Sequence, residues 1–119
     1  VFTNFSKSRF SFEEVKKMKT LLTCYAKTAI NLAKLTSDEV ELGKANSFCM
    51  KIEELSESEC KRMHKDIRGE LMGMILSYHI FCQKYGSERT KNEVKGLIVD
   101  LYREIGKVLD SNTKVSESC

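Results

Sequence analysis

The 119-residue chain contains no proline and only six glycines. A loop-rich β-sandwich or barrel draws on both residues at its turns, so their scarcity disfavours such folds. Collagen-like and proline-rich linker classes fall away for the same reason. An excess of one charge is lacking too: 20 Lys and Arg stand against 17 Asp and Glu, a net charge of +3. A dedicated nucleic-acid module would carry a basic stripe, so no specific nucleic-acid partner is expected. The densest basic cluster is Lys61, Arg62, Lys65 and Arg68, and it is flanked by Glu57, Glu59, Asp66 and Glu70, which reads as a solvated helix face. The longest uncharged run, Leu71 to Gln83, has thirteen residues. That is too short to span a membrane and predicts a buried core helix, so the chain is not expected to be transmembrane.

Catalytic signatures are missing as well. The chain has no G-x-S-x-G, P-loop, H-E-x-x-H or dinucleotide fingerprint, and its carboxylate pairs Glu13/Glu14 and Glu53/Glu54 fall where capping and solvated faces explain them. Neither histidine sits in a haem attachment motif. Cys60 and His64 are four residues apart and His79 and Cys82 three apart, spacings that place sulfur and imidazole on one helix face. His64 and His79 are separated by fifteen residues, roughly 22 Å along a straight helix, so the two pairs cannot share an ion. The expectation is therefore no enzyme, no cofactor and no metal site. The five cysteines, Cys24, Cys49, Cys60, Cys82 and Cys119, are odd in number and include no C-x-x-C. Reduced thiols buried on helices are the simplest reading and favour a reducing, cytoplasmic setting. Asn4-Phe5-Ser6 is a glycosylation sequon, which keeps a secreted helical factor as an alternative.

What the chain does have is repeated helix punctuation. Three segments read apolar, Ser/Thr, two residues, Glu, apolar: Phe10-Ser11 to Val15, Leu35-Thr36 to Val40, and Leu55-Ser56 to Cys60. This is a capping box with a hydrophobic staple, in which the hydroxyl accepts the N3 amide and the Glu accepts the N-cap amide. Helix starts follow near Ser11, Thr36 and Ser56. A fourth start falls at Ser87, where Gly86 offers a left-handed stop just before it.

Between these starts, apolar residues recur in steps of three and four. Val15, Met18, Leu22, Tyr25, Ala29 and Leu32 form the first stripe, and Ala45, Phe48, Ile52 and Leu55 the second. The third runs through Cys60, Met63, Ile67, Leu71, Met74, Tyr78, Phe81 and Tyr85, and the fourth through Val94, Leu97, Leu101, Ile105 and Val108. The pattern predicts a single all-α domain over 1–119, a four-helix bundle with helices near 12–34, 37–54, 57–85 and 88–109. The ends, 1–10 and 111–119, are polar and read as frayed. The third helix, longest and most apolar, is expected at the centre. The joints at 35–36 and 55–56 are short and lack Gly and Pro, so a long antiparallel coiled-coil hairpin is the alternative architecture.

Two short resemblances accompany this pattern. Phe10-Ser11 with Glu14, Met18 and Ala26-Lys27-Thr28-Ala29-Ile30, together with Lys107-Val108-Leu109-Asp110, resembles the tumour-necrosis-factor-induced protein 8 family. That resemblance implies an all-helical fold with a deep apolar cavity that accepts phospholipid. Tyr25-Ala26-Lys27 through Ile52-Glu53-Glu54-Leu55 is similar to part of a sorting-nexin type BAR coiled coil, whose whole domain is longer than this chain. Neither covers the whole sequence, and neither assigns the chain to a family.

The function expected from these features is a non-enzymatic helical interaction module, an adaptor or regulator whose partner is another protein or a second copy of itself. A carrier of an apolar small molecule or lipid is the alternative. Gly69 and Gly73 form a G-x-x-x-G step, which glycine's helix penalty of about 1 kcal/mol makes notable. It suggests a close helix crossing or a groove floor. Adaptable Met63, Met72 and Met74 lie beside it, and Tyr78 and Phe81 follow on the same helix. The candidate groove therefore comprises Met63, Gly69, Met72, Gly73, Tyr78 and Phe81.

Overall fold

The computed structural model describes residues 12–118, with side chains described as far as Asp110. Ser11, the Asn4 sequon and Cys119 lie outside the described residues. Four helices, α1 (Phe12–Leu35), α2 (Glu39–Glu54), α3 (Glu57–Tyr85) and α4 (Glu88–Ser118), pack into an all-α four-helix bundle. No strand occurs among the described residues. The bundle forms in place of the coiled-coil hairpin. The fourth helix continues past its expected end at 109, as far as Ser118.

The start of α3 forms as its sequence predicts. The Glu59 amide donates to Ser56 Oγ at 3.2 Å, and the Ser56 amide donates to Glu59 Oε1 at 3.0 Å, completing the capping box. At the start of α4, Ser87 Oγ accepts the Thr90 amide at 3.2 Å. Gly86 before it is extended, at φ −80° and ψ 156°, so the expected left-handed stop is not what forms there. Its glycine answers a close approach instead: a Cβ at position 86 would lie 2.6 Å from the Cys82 carbonyl oxygen.

The second start differs from expectation. Thr36 closes α1 and does not open α2: its hydroxyl donates back to the Leu32 carbonyl at 3.0 Å. Ser37 takes the left-handed conformation, at φ 55°. The Asp38 amide donates to the Ala33 carbonyl at 2.9 Å and the Ser37 amide to the Lys34 carbonyl at 3.2 Å. This bond pair is a Schellman motif with serine where glycine is usual. Asp38 then caps α2 by accepting the Glu41 amide at 3.0 Å. Chain reversal decides between the competing caps. The turn needs a left-handed residue after α1, which moves the start of α2 from 37 to 39.

The helices run up, down, up, down. Lys19 Nζ donates to the Glu53 carbonyl at 3.3 Å, so α2 returns antiparallel along α1. Met18 and Tyr25 share a cavity with His64 and Arg68, and Thr36 shares another with Tyr78, so α3 runs parallel to α1. Ile105 and Leu109 reach back to Met18 and Leu22, which makes α4 antiparallel to α1.

The centre of the bundle is α1 rather than α3. It packs along all three other helices, while α2 and α3 barely touch. Ala26, Ala29 and Ala33 explain the position: all three are fully buried, and side chains this small let neighbouring helices come close on several sides. Around them the core is closed by Leu32, Ile52, Leu71 and Val94, each fully buried. Burial of such a side chain contributes roughly 1.5–3 kcal/mol. The third helix carries as many apolar residues as α1 but cannot bury them all. Tyr78 sits level with the end of α1, and the seven residues beyond it extend about 10 Å further.

Candidate functional site

The outer face and the overhang of α3 together decide what is exposed. Leu76, Ile80, Phe81 and Tyr85 are 50%, 64%, 56% and 70% exposed. Phe81 and Tyr85 belong to the apolar stripe expected in the core. They leave it because the stripe is longer than the helix it packs on, 29 residues in α3 against 24 in α1. They turn to each other instead, as a tilted ring pair with centroids 5.1 Å apart and planes at 50°. Ile75 and Cys82, absent from the expected stripe, are buried in their place.

Gly69 and Gly73 lie on the outer side of α3. A Cβ added to either would meet nothing within 4 Å. The close crossing suggested by the G-x-x-x-G step is therefore not made among the described residues. At about 100° per residue, Gly69, Gly73, Leu76 and Ile80 share one stripe, opposite the buried Ile67, Leu71 and Tyr78.

A cavity of about 470 Å³ opens where the turn between α1 and α2 meets this part of α3. Thr36, Asp38 and Glu41 line it from the turn and the first turn of α2. Gly73, Met74, Ser77, Tyr78 and Phe81 line it from α3. The Tyr78 hydroxyl is buried beside the Thr36 hydroxyl and the Asp38 carboxylate. Burial pushes its pKa up to about 12, an effect offset in part by the Thr36 hydroxyl and reinforced by the Asp38 and Glu41 carboxylates. Glu41 Oε1 also accepts from the exposed Lys44 Nζ at 3.2 Å.

Of the six residues marked in the sequence, Gly73, Tyr78 and Phe81 come together at this cavity. Met63 is packed against the core, Met72 is half-buried, and Gly69 is exposed away from it. Thr36, Asp38 and Glu41 went unmarked, because nothing local ties the start of α2 to a residue forty positions later. The signal that could have found the overhang is the unequal length of two neighbouring apolar stripes.

A second cavity of about 220 Å³ lies at the other end of the bundle, lined by Met18, Leu22, Tyr25 and Ile105 with His64 and Arg68. His64 is held below its ordinary pKa, first by burial and then by the positive charges of Lys65 and Arg68. Cys60 lies in the core, and no three His, Cys, Asp or Glu converge to hold a metal ion among the described residues. Cys24, Cys49, Cys60 and Cys82 are free thiols, and burial raises the pKa of each. No described helix is long and apolar enough to cross a membrane.

Fold and site together define an all-α four-helix bundle with an apolar helix end beside an acid-lined pocket. Compared with protein-family models, curated proteins and solved structures, the chain matches none.

Proposed function

We propose that this chain is a non-enzymatic interaction module that docks a segment of another protein on the C-terminal half of α3. The observation that carries this reading is the overhang, which leaves Phe81 and Tyr85 exposed at the rim of a concave pocket, with Ile80 on the adjoining outer face of α3. Clustered apolar side chains in water favour association, and a neighbouring pocket gives a partner something to anchor in. Gly73 adds an approach with no side chain in the way, so a partner backbone can come near α3. A lipid carrier is the weaker reading, because Asp38 and Glu41 would repel a phosphate headgroup at the larger cavity.

Selection of random peptides displayed on phage, against the whole chain, tests the proposal. Enrichment is expected against the native chain and should fall at least about tenfold for Ile80→Glu, which places a charge in the docking face. It should be unchanged for Met50→Glu, on α2 at the opposite end of the bundle, where Met50 is 63% exposed. Enrichment indifferent to Ile80→Glu would refute the docking surface. So would a dimer in sedimentation equilibrium that Ile80→Glu dissociates, which would assign this face to a second copy of the chain.

A further inference from the structure

We infer that the smaller cavity, where α1, α3 and α4 meet, binds a short aliphatic carboxylate. The site lies at the other end of the bundle from the docking face of α3 and stands independently of it. Three helices build it. Met18, Leu21, Leu22 and Tyr25 of α1 form the floor, Ile105 and Leu109 of α4 one wall, and His64 and Arg68 of α3 the other. The α3–α4 joint at Gly86 is roughly six helical turns away along either helix. At this distance from the joint, α1 lines the space between the two. Leu21 and Tyr25 are only half-buried, so they keep apolar surface that a hydrocarbon chain would cover.

The charge at the cavity has one sign. Among the described residues no Asp or Glu lines it. Arg68 forms no ion pair among them either. Asp66 and Glu70 stand two positions to either side of it, and residues two apart on a helix do not face each other. On α4, Glu104 is engaged by Lys107 at 3.4 Å. Lys65 and Arg68 add to burial in holding His64 below its ordinary pKa, the mark of a positive potential that no nearby carboxylate cancels. The neutral imidazole still has one N–H to donate. A guanidinium and an imidazole N–H beside an aliphatic floor suit a ligand with one anionic end and one apolar end. The apolar surroundings also weaken the screening of that ion pair by water.

Two features narrow the ligand further. The guanidinium donates in a planar fork that matches a carboxylate, so the acid group is favoured over a simple halide. The cavity holds about 220 Å³, below the roughly 300–1,000 Å³ of sites for drug-sized ligands. At about 30 Å³ for a water-sized group it has room for roughly seven such groups. A methylene needs about the same room, so the body of the ligand is a chain of about seven carbons. Apart from Tyr25, the apolar lining is Met, Leu and Ile, which suits such a chain.

The test is a titration of the whole ¹⁵N-labelled chain followed by amide shifts. The probes are octanoate, the neutral 1-octanol, octylammonium and the longer hexadecanoate. Octanoate should shift Leu21, Tyr25, His64, Arg68 and Ile105, 1-octanol should bind at least about tenfold more weakly, and octylammonium should leave these amides in place. Arg68→Gln, at an exposed position, should weaken octanoate at least about tenfold without disturbing the fold. Leu21→Trp should fill the cavity and abolish binding, with the fold read from the remaining amides of the same spectra. Equal binding of octanoate and 1-octanol would overturn the proposal, as would full binding by Arg68→Gln. Octanoate shifts confined to Leu76, Ile80 and Phe81 would place the probe on the docking face and overturn it too. Much tighter binding of hexadecanoate would assign the site to a long-chain lipid instead. N-acetyl-leucine, a mimic of a peptide C-terminus, separates the last alternative: if it outcompetes octanoate, the cavity takes the end of a polypeptide and the inference fails.

Discussion

Ser37 holds the turn that brings Thr36 and Asp38 to the pocket, and it does so in a conformation that serine resists. Its φ of 55° is left-handed, and a residue with a Cβ loses roughly 1–2 kcal/mol there. Glycine avoids that loss but brings extra freedom to the unfolded chain, which returns roughly 0.5–1 kcal/mol. Ser37→Gly is therefore expected to stabilise the fold by about 0.5–1 kcal/mol. The side chain is exposed, so little contact is lost with it. At a urea slope of about 1.5 kcal/mol/M, the unfolding midpoint should rise by about 0.3–0.7 M. With an unfolding entropy near 2.1 cal/mol/K per residue, the melting temperature should rise by about 2–4 °C. Far-UV circular dichroism follows both transitions. Ser37→Val supplies the opposite sign, since a β-branched side chain tolerates the left-handed region less well, and should lower the midpoint. If glycine brings no gain and valine no loss, residue 37 is not left-handed in solution and the account of the turn fails.

Two further predictions concern titratable groups that are buried or half-buried. His64 is held below its ordinary value by burial and then by Lys65 and Arg68. As pH falls through about 6.5 the unfolded chain takes up this proton first, so the contribution is fully present above that pH and lost toward the lower folded-state value. His64→Gln should flatten the fall in urea midpoint below about pH 6.5, and a profile with an undiminished slope would count against the assignment. Cys60 and Cys82 are buried and their pKa values raised by that burial. Iodoacetamide at neutral pH should label them only on unfolding, well after Cys24 and Cys49, and peptide mass mapping that finds Cys60 labelled early in the native chain would contradict its burial.

Much of the helical order was legible because helix starts are local. The Ser56–Glu59 box needs only residues three apart, and nothing distant competes with it. The segment Thr36-Ser37-Asp38 offers three capping side chains in a row, and Asp38 with Glu41 has the same spacing as Thr36 with Glu39. Only the reversal of α2 onto α1 breaks that tie, and it is a tertiary event. The central helix was misjudged for a related reason. The uncharged run from Leu71 to Gln83 draws the eye to α3, but centrality depends on how many neighbours can come close, and the small alanines of α1 settle that. The pocket was half legible. Gly73, Tyr78 and Phe81 stood out on one helix, while the acidic groups opposite them arrive from a turn whose place depends on the whole bundle.

The position of α1 also shapes how the molecule can come apart. Because α2 and α3 scarcely touch, α2 can detach from α1 while α1, α3 and α4 stay assembled. Such an opening would expose only Ala45 and Ile52 from the core residues of α2 itself. Loss of α1 allows no such retreat, since each outer helix loses its main support at once. Asp38 and Glu41 belong to the helix that can lift, and Tyr78 to the part that stays. The two halves of the pocket therefore sit on opposite sides of the same opening, and whatever bridges them would hold α2 down.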